Sequence, residues 1–257
     1  MGRVTGTFEK RRSDAPDGFF EAEAAGLRWL AVPGGVPVAE PLEVSPGRLV
    51  VPRFAETGPS AGAAEEFGRR LTVTHAAGAT GFGTAPEGWT GPGFIGNAGL
   101  AYADGRPLAW GEFYATLRLA PYVRTARDNG LFGPDEVALF DRIAARLTGG
   151  EYDAGAGSAS RLHGDLWAGN VLWCADGVRL VDPAAHGGHR ETDLAMLDLF
   201  GLPHLDRVLA AYDETAPLTD GWRHRVVLHQ LHPLLVHVVL FGARYVERTL
   251  AAARRCL

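Results

Sequence analysis

The sequence predicts an α+β protein in two lobes, a small strand-rich one over residues 1–56 and a larger, mainly helical one over 57–257. Three observations lead there. The first 54 residues hold three strand-like runs around one amphipathic helix, and beyond the Gly- and Ala-rich stretch at 56–63 most segments with a period show helical apolar spacing. The helical part is broken once, at 163–193, where apolar runs meet at a turn and acids stand at either side. With 257 residues, 46% of them hydrophobic and 21% charged, the chain can bury a sizeable core.

Residues 4–10, VTGTFEK, alternate enough for a strand and end on Lys10. Asp17 is expected to cap a helix over 18–30, closed by Pro33-Gly34-Gly35. At 100° per residue, Phe19, Phe20, Leu27 and Leu30 share roughly a quarter of the wheel, and Glu23 falls among them. A carboxylate there is costly unless paired, and the nearest cation on the preceding strand is Lys10; a place at the core edge is the alternative. Two strands, 36–44 and 48–54, are expected around the turn Ser45-Pro46-Gly47.

A Gly- and Ala-rich stretch at 56–63 marks the lobe boundary and leads into a helix with Phe67 and Leu71 on one face; His75 at its end reads as structural. Residues 78–110 carry Trp89, Phe94, Asn97 and Trp110 among many glycines without a period, and a long irregular segment in a compact domain is more often functional than idle. Helices are expected over 111–127, with Phe113, Leu117 and Ala120 inward, and over 134–148, with Pro134 in its first turn. Beyond the central unit, 190–200 is apolar nearly all round, and 203–214 has Leu205, Val208, Leu209 and Tyr212 at helical spacing. A last helical stretch, 221–255, is interrupted by Pro233.

The formal net charge of −5 and scattered basic residues leave no footprint for nucleic acid. The N-terminus lacks the apolar region of a signal peptide, and the apolar run 233–241 is short for a membrane span, so no membrane partner is expected. Only Cys174 and Cys256 are present, too few for a disulfide framework, and a cytoplasmic setting fits.

His163, Asp165 and Asn170 follow H-x-D-x-x-x-x-N, the spacing of a kinase catalytic loop, in which the Asp accepts a hydroxyl proton and the Asn holds magnesium. Apolar runs 171–174 and 178–181 flank Ala175-Asp176-Gly177, a hairpin signal, so the second run returns Asp182 beside Asp165. Phosphoryl transfer needs such a pairing, because Mg2+ prefers oxygen ligands and the donor is highly anionic. Lys10 and Glu23 complete the set as a phosphate-touching lysine and the acid that orients it. Taken singly, each acid could be a turn former and His163 a hydrogen-bonded brace; Lys, Glu, Asp, Asn and Asp in kinase order argue against that for the group. His229, His232 and His237 invite a metal reading, but no carboxylate or cysteine is near them in sequence.

At these residues the chain resembles the fructosamine kinase (ketosamine-3-kinase) family, within the aminoglycoside phosphotransferase and protein-kinase-like group. The matching words are FFEAEAAGL at 19–27, HGDLWAGN at 163–170, VDPA at 181–184, GHRETDLAML at 188–197 and LFGARY at 240–245. The resemblance implies a bilobal protein-kinase-like fold that uses ATP and Mg2+ to phosphorylate the 3-hydroxyl of a sugar-amine adduct, free or protein-bound, and so serves deglycation. It implies Asp165 as catalytic base, Asn170 and Asp182 as magnesium ligands, and Lys10 with Glu23 as the nucleotide-phosphate pair. Trp167 is implied as a wall for the sugar, with core packing as the alternative, while Arg190, Glu191 and Asp193 are expected to brace the loop.

The chain departs from the family in three places. Only nine residues precede Lys10, fewer than the roughly 15 a strand hairpin with a phosphate-binding loop requires. The small lobe is therefore expected to be incomplete, through a late start assignment or with weakened nucleotide binding. Pro52 stands near the expected hinge, where its missing N–H would remove a contact to adenine, and His189 replaces an acid. Two rivals remain: a kinase of the same fold for an aminoglycoside or amino alcohol, and a pseudokinase-like binding protein.

Overall fold

The computed structural model describes residues 4–257. β1 (Val4–Arg11) leads into α1 (Phe19–Leu30), and β2 (Glu43–Ser45) and β3 (Arg48–Phe54) complete an antiparallel sheet in the order β1-β3-β2. The turn between β2 and β3 pairs Ser45 with Arg48, as the Pro-Gly step requires. Phe20, Leu27, Leu49 and Val51 form the core between α1 and the sheet.

Two expectations for this region change. Asp17 does not cap α1; the N-cap is Gly18 at φ 80°, and no side chain bonds the first turn. Of the strand expected over 36–44, only Glu43–Ser45 forms. Pro37 and Pro41 lack the N–H that a ladder needs. The preceding segment is instead tied to the central unit, with Leu180 N–H donating to Pro37 O (2.9 Å) and Ala39 N–H to Leu180 O (3.0 Å).

α2 (Ala61–Ala76) is capped by Ser60, whose hydroxyl accepts from Ala63 N–H at 3.3 Å. The irregular stretch that follows contains one short hairpin, β4 (Gly93–Ile95) with β5 (Ala98–Leu100). Next comes a continuous helical run: α3 (Trp110–Phe113), a π-helical segment Tyr114–Leu119, and α4 (Ala120–Asp128). The wider π turn shifts the inward face, so Ala120 is exposed and Leu119, Tyr122, Val123 and Ala126 are buried instead. α5 (Pro134–Thr148) begins at Pro134, with Glu136 reaching back to Gly133 N–H at 2.8 Å.

β6 (Ser160–Leu162), β7 (Val171–Cys174), β8 (Gly177–Leu180) and β9 (His186–Gly188) form two antiparallel pairs, β6 with β9 and β7 with β8. α6 (Glu191–Phe200) is buried almost all round, and α7 (Leu205–Thr215) packs along α2. α8 (Trp222–His229), α9 (Leu231–Phe241), a 3-10 turn Gly242–Tyr245 and α10 (Val246–Arg254) complete the chain.

By length and composition alone, Trp222–Arg254 would pass for a membrane span. It is broken at Gln230 and at Gly242 (φ 75°), and Leu231, Leu234, Leu235, Val238 and Leu250 lie in the main core. Pro233 accounts for the first break. There the Tyr114 hydroxyl takes over, lying 2.9 Å from the carbonyls of Leu228 and His229 and accepting from His232 N–H at 3.2 Å.

Candidate active site

The loop between β6 and β7 carries His163, Asp165, Trp167 and Asn170, and it is held from below by Asp193 in the first turn of α6. The Asp193 carboxylate, 1% exposed, accepts from His163 N–H (2.8 Å) and Gly164 N–H (2.9 Å) and meets His75 Nε2 at 3.2 Å. Burial pushes its pKa up, but the His75 bond, the neighbouring imidazoles and the backbone donor prevail and hold it below the usual value. Gly164 is obligatory: at φ 80° a Cβ would stand 2.2 Å from Ala184 O. His163 donates from Nε2 to Val181 O (2.9 Å) and accepts Asp165 N–H on Nδ1 (3.3 Å), so both ring nitrogens are committed and burial keeps it neutral. His163 is positioned as a brace, not as a base.

Above this base, Asn170 Nδ2 reaches Asp165 O (2.8 Å), Asp165 Oδ2 (3.2 Å) and Asp182 O (3.4 Å), drawing together the two ends of the β7–β8 unit. Burial, reinforced by the charges of Asp182 and Asp193, raises the Asp165 carboxyl to about 7 against the opposing Asn170 bond. Asp182 follows β8 with φ 55°, a left-handed conformation that is strained for a non-glycine and aims its carboxylate at Lys10.

Lys10 on β1 bonds both Asp182 and, at 2.6 Å, Glu23 on the buried face of α1. Burial opposes the ammonium, yet the two carboxylates outweigh it and its pKa is raised. The pairing of Lys10 with Glu23 expected from the helical wheel is thus present. α1 itself is seated against the segment after Asp182 through Gly26, whose missing Cβ would be 3.0 Å from Ala185 Cβ.

These groups border a cavity of about 280 Å³, with Asp165, Asn170, Asp182, Lys10 and Glu23 on one side and Trp167, Phe94, Asn97 and Tyr102 among the remaining walls. Trp167 is 40% exposed, so it is a wall and not a core residue. A second cavity of about 270 Å³ shares Lys10 and Asp182; its other walls are mostly apolar, with Phe8, Val51, Phe54, Leu172 and Val181, and Arg53 and Glu56 also border it. Pro52 lines it too and lies within β3 opposite Thr7. The chain leaves the small sheet at 55–57, where Thr57 N–H donates to Trp173 O at 2.7 Å. Oxygen donors on Asn170 and Asp182, few in number and beside a cleft, suit Mg2+, which keeps water and phosphate among its ligands.

Arg190 and Glu191 lie away from the cleft. Arg190 donates to the carbonyls of Ala216 (3.2 Å) and Pro217 (2.5 Å), and Glu191 forms a two-pronged pair with Arg225 at 2.9 and 2.6 Å. These three histidines diverge: His232 meets Tyr122 edge-on, His237 lies tilted against Phe200, and His229 joins His189 and Glu191. That last trio has ligand atoms within 4.8 Å of one another, but Glu191 is already neutralised by Arg225 and His189 Nδ1 accepts Glu191 N–H. Sequence reasoning missed Tyr102 as a wall and His75 as the partner of Asp193. For Tyr102, the only available signal was the aperiodic stretch that contains it.

A fructosamine kinase family model matches residues 4–257. The chain is 33% identical over 241 residues to a probable ketoamine kinase of Thermus thermophilus, covering 92% of this chain and 82% of that protein. It is 28% identical over 245 residues to the chloroplastic protein-ribulosamine 3-kinase of Arabidopsis thaliana, covering 93% and 72%. Among solved structures, a candidate fructosamine-3-kinase from Thermobifida fusca matches with a TM-score of 0.89 at 47% identity, over 97% of this chain and 85% of that one. A choline kinase from Streptococcus pneumoniae matches at 0.62 and 12% identity, over 96% and 85%, and shares the fold alone.

Proposed function

The chain belongs to the fructosamine kinase family and has the bilobal kinase-like fold, and on that premise we propose that it transfers the terminal phosphoryl group of ATP to the 3-hydroxyl of a ketosamine. The observation that carries the reading is the pair of cavities meeting at Lys10 and Asp182, one mostly apolar, the other bordered by Trp167 and Asp165.

In this reading the mostly apolar cavity takes the nucleobase beside Phe8, Val51 and Leu172, and Lys10, oriented by Glu23, holds the phosphates. Asn170 and Asp182 would hold Mg2+, which supplies charge neutralisation of the transferred group. Trp167 lies along the apolar C–H face of the sugar. Asp165 accepts the proton of the attacking hydroxyl as its oxygen bonds to phosphorus and the bond to the ADP oxygen breaks. Asp193 and His163 keep Asp165 in place and touch neither reactant. Asp182, which is paired with Lys10 here, would be available to Mg2+ beside the phosphates when the nucleotide is bound. The acceptor class includes adducts on lysine side chains, and a cytoplasmic location fits such a role.

The test is phosphorylation of ribulose- and fructose-derived lysine adducts with Mg-ATP, the position of the new phosphate being read by 31P and 13C NMR. Phosphate on O3 is expected. Turnover of amino alcohols or aminoglycosides, with none of any ketosamine, would reject the reading.

A further inference from the structure

The acceptor cleft opens onto an aromatic surface that the phosphoryl-transfer chemistry does not use. Two parts of the cleft wall lead there independently. Trp167 meets Phe200 edge-on at 6.3 Å, Phe200 meets His237 at 4.9 Å, and His237 meets both Phe241 (5.2 Å) and Tyr245 (4.8 Å). On the opposite wall, Gly96 at the tip of the β4–β5 hairpin is covered by Leu240, which comes within 3.3 Å of where a Cβ would stand.

Both routes end at the C-terminus of α9, where the break at Gly242 sets Phe241 and Tyr245 side by side. Rings packed only for stability would be covered, yet Trp167 is 40% and Phe241 48% exposed. Arg244 lies 4.9 Å over Phe241 and 5.3 Å over Tyr245, and among the described residues no carboxylate pairs with it. Arg248 stands over Phe200 in the same way and uses one nitrogen on Leu199 O at 2.7 Å. The surface is therefore aromatic, cationic and continuous with the cleft.

We infer that this shelf binds the amine carrier of the adduct, and that the carrier it fits is a peptide or protein segment with acidic residues beside the modified lysine. The inference rests on the ketosamine kinase reading. A sugar held against Trp167 with its 3-hydroxyl at Asp165 projects its amine out of the cleft, and the lysine methylenes then lie along Phe200 and His237. Carboxylates on flanking residues meet Arg244, whose charge is otherwise unpaired, and apolar side chains cover Phe241. A free small-amine adduct has no atoms to place there.

The experiment compares three acceptors carrying the same sugar: a small alkylamine, a peptide lysine flanked by Asp and Glu, and one flanked by Lys and Arg. They are assayed with the wild type, Phe241→Ala and Arg244→Glu. KM for the acidic peptide should rise about tenfold in either variant with kcat unchanged, while the alkylamine adduct keeps its constants within about twofold and so reports intact folding. Arg244→Glu should also reverse the preference between the two peptides. Equal effects on all three acceptors, or none on the acidic peptide, overturn the inference. If the wild type phosphorylates no adduct, the kinase reading fails separately, and fluorescence anisotropy of the labelled acidic peptide then decides the shelf: binding lost in Arg244→Glu upholds it, binding unchanged overturns it.

Discussion

Replacing Asp165 with Asn should abolish turnover and, in metal-free protein at pH 8, make the fold more stable. The carboxyl is raised from an ordinary 3.8 to about 7 because burial disfavours its charge. A native pKa above the unfolded one means that the native state prefers the protonated form. The stability this group allows is fully present below about pH 4, declines as pH rises, and is lost by about pH 7. At about 1.4 kcal/mol per tenfold in proton affinity, the change from 3.8 to about 7 corresponds to roughly 4 kcal/mol. The residue is half-buried, so solvent screening brings the expected gain to about 2 kcal/mol. Asparagine retains an oxygen for the Asn170 amide and never ionises.

Urea denaturation of both proteins in EDTA, at pH 8 and pH 5, measures the difference. The advantage of Asp165→Asn should fall by more than half at pH 5, where the native wild-type carboxyl is mostly protonated. A variant no more stable at pH 8, or a gain that ignores pH, would refute the assignment of a buried, destabilising charge to Asp165.

Asp193→Ala leaves the amides of His163 and Gly164 and the His75 ring without their buried acceptor, and should cost about 3 kcal/mol or more in urea denaturation; a loss below about 1 kcal/mol would show that the loop does not depend on it. The Asp193 pKa is lowered, so its contribution is present above the unfolded aspartate value near 3.9 and is lost as pH falls through the native one. Tyr114→Phe removes the hydroxyl that spans the break between α8 and α9 and should cost about 1–2 kcal/mol, with faster hydrogen exchange at the His232 amide. Unchanged exchange there would show that the hydroxyl does not hold the break.

The grouping of residues at this candidate site was legible because they lie close in sequence or follow a strong period. His163, Asp165 and Asn170 belong to one loop, and the turn at 175–177 returns Asp182 by strand pairing alone. Glu23 stood out as a carboxylate on an apolar helical face, and such a position demands a cation. A break near Pro233 and a buried helix over 190–200 also follow from local rules.

Long-range pairing was not legible. The link between His75 and Asp193 spans 118 residues, and nothing local to His75 distinguishes a brace from an ordinary core histidine. The π turn that exposes Ala120, the proline-interrupted segment held by Leu180, and the placement of Tyr102 in the cleft wall all depend on packing partners distant in sequence. So does the aromatic shelf, whose rings come from three separated segments. By itself the sequence determined which polar groups gather at the candidate site and the order in which they occur, since local spacing sets strand, turn and helix face. Only the tertiary structure decided which of them are buried, and so how Asp165 titrates, how Asp182 and Lys10 divide two cavities, and what surface the Trp167-lined cavity opens onto. Those properties arise from desolvation and contact between residues far apart in the chain, which no local pattern encodes.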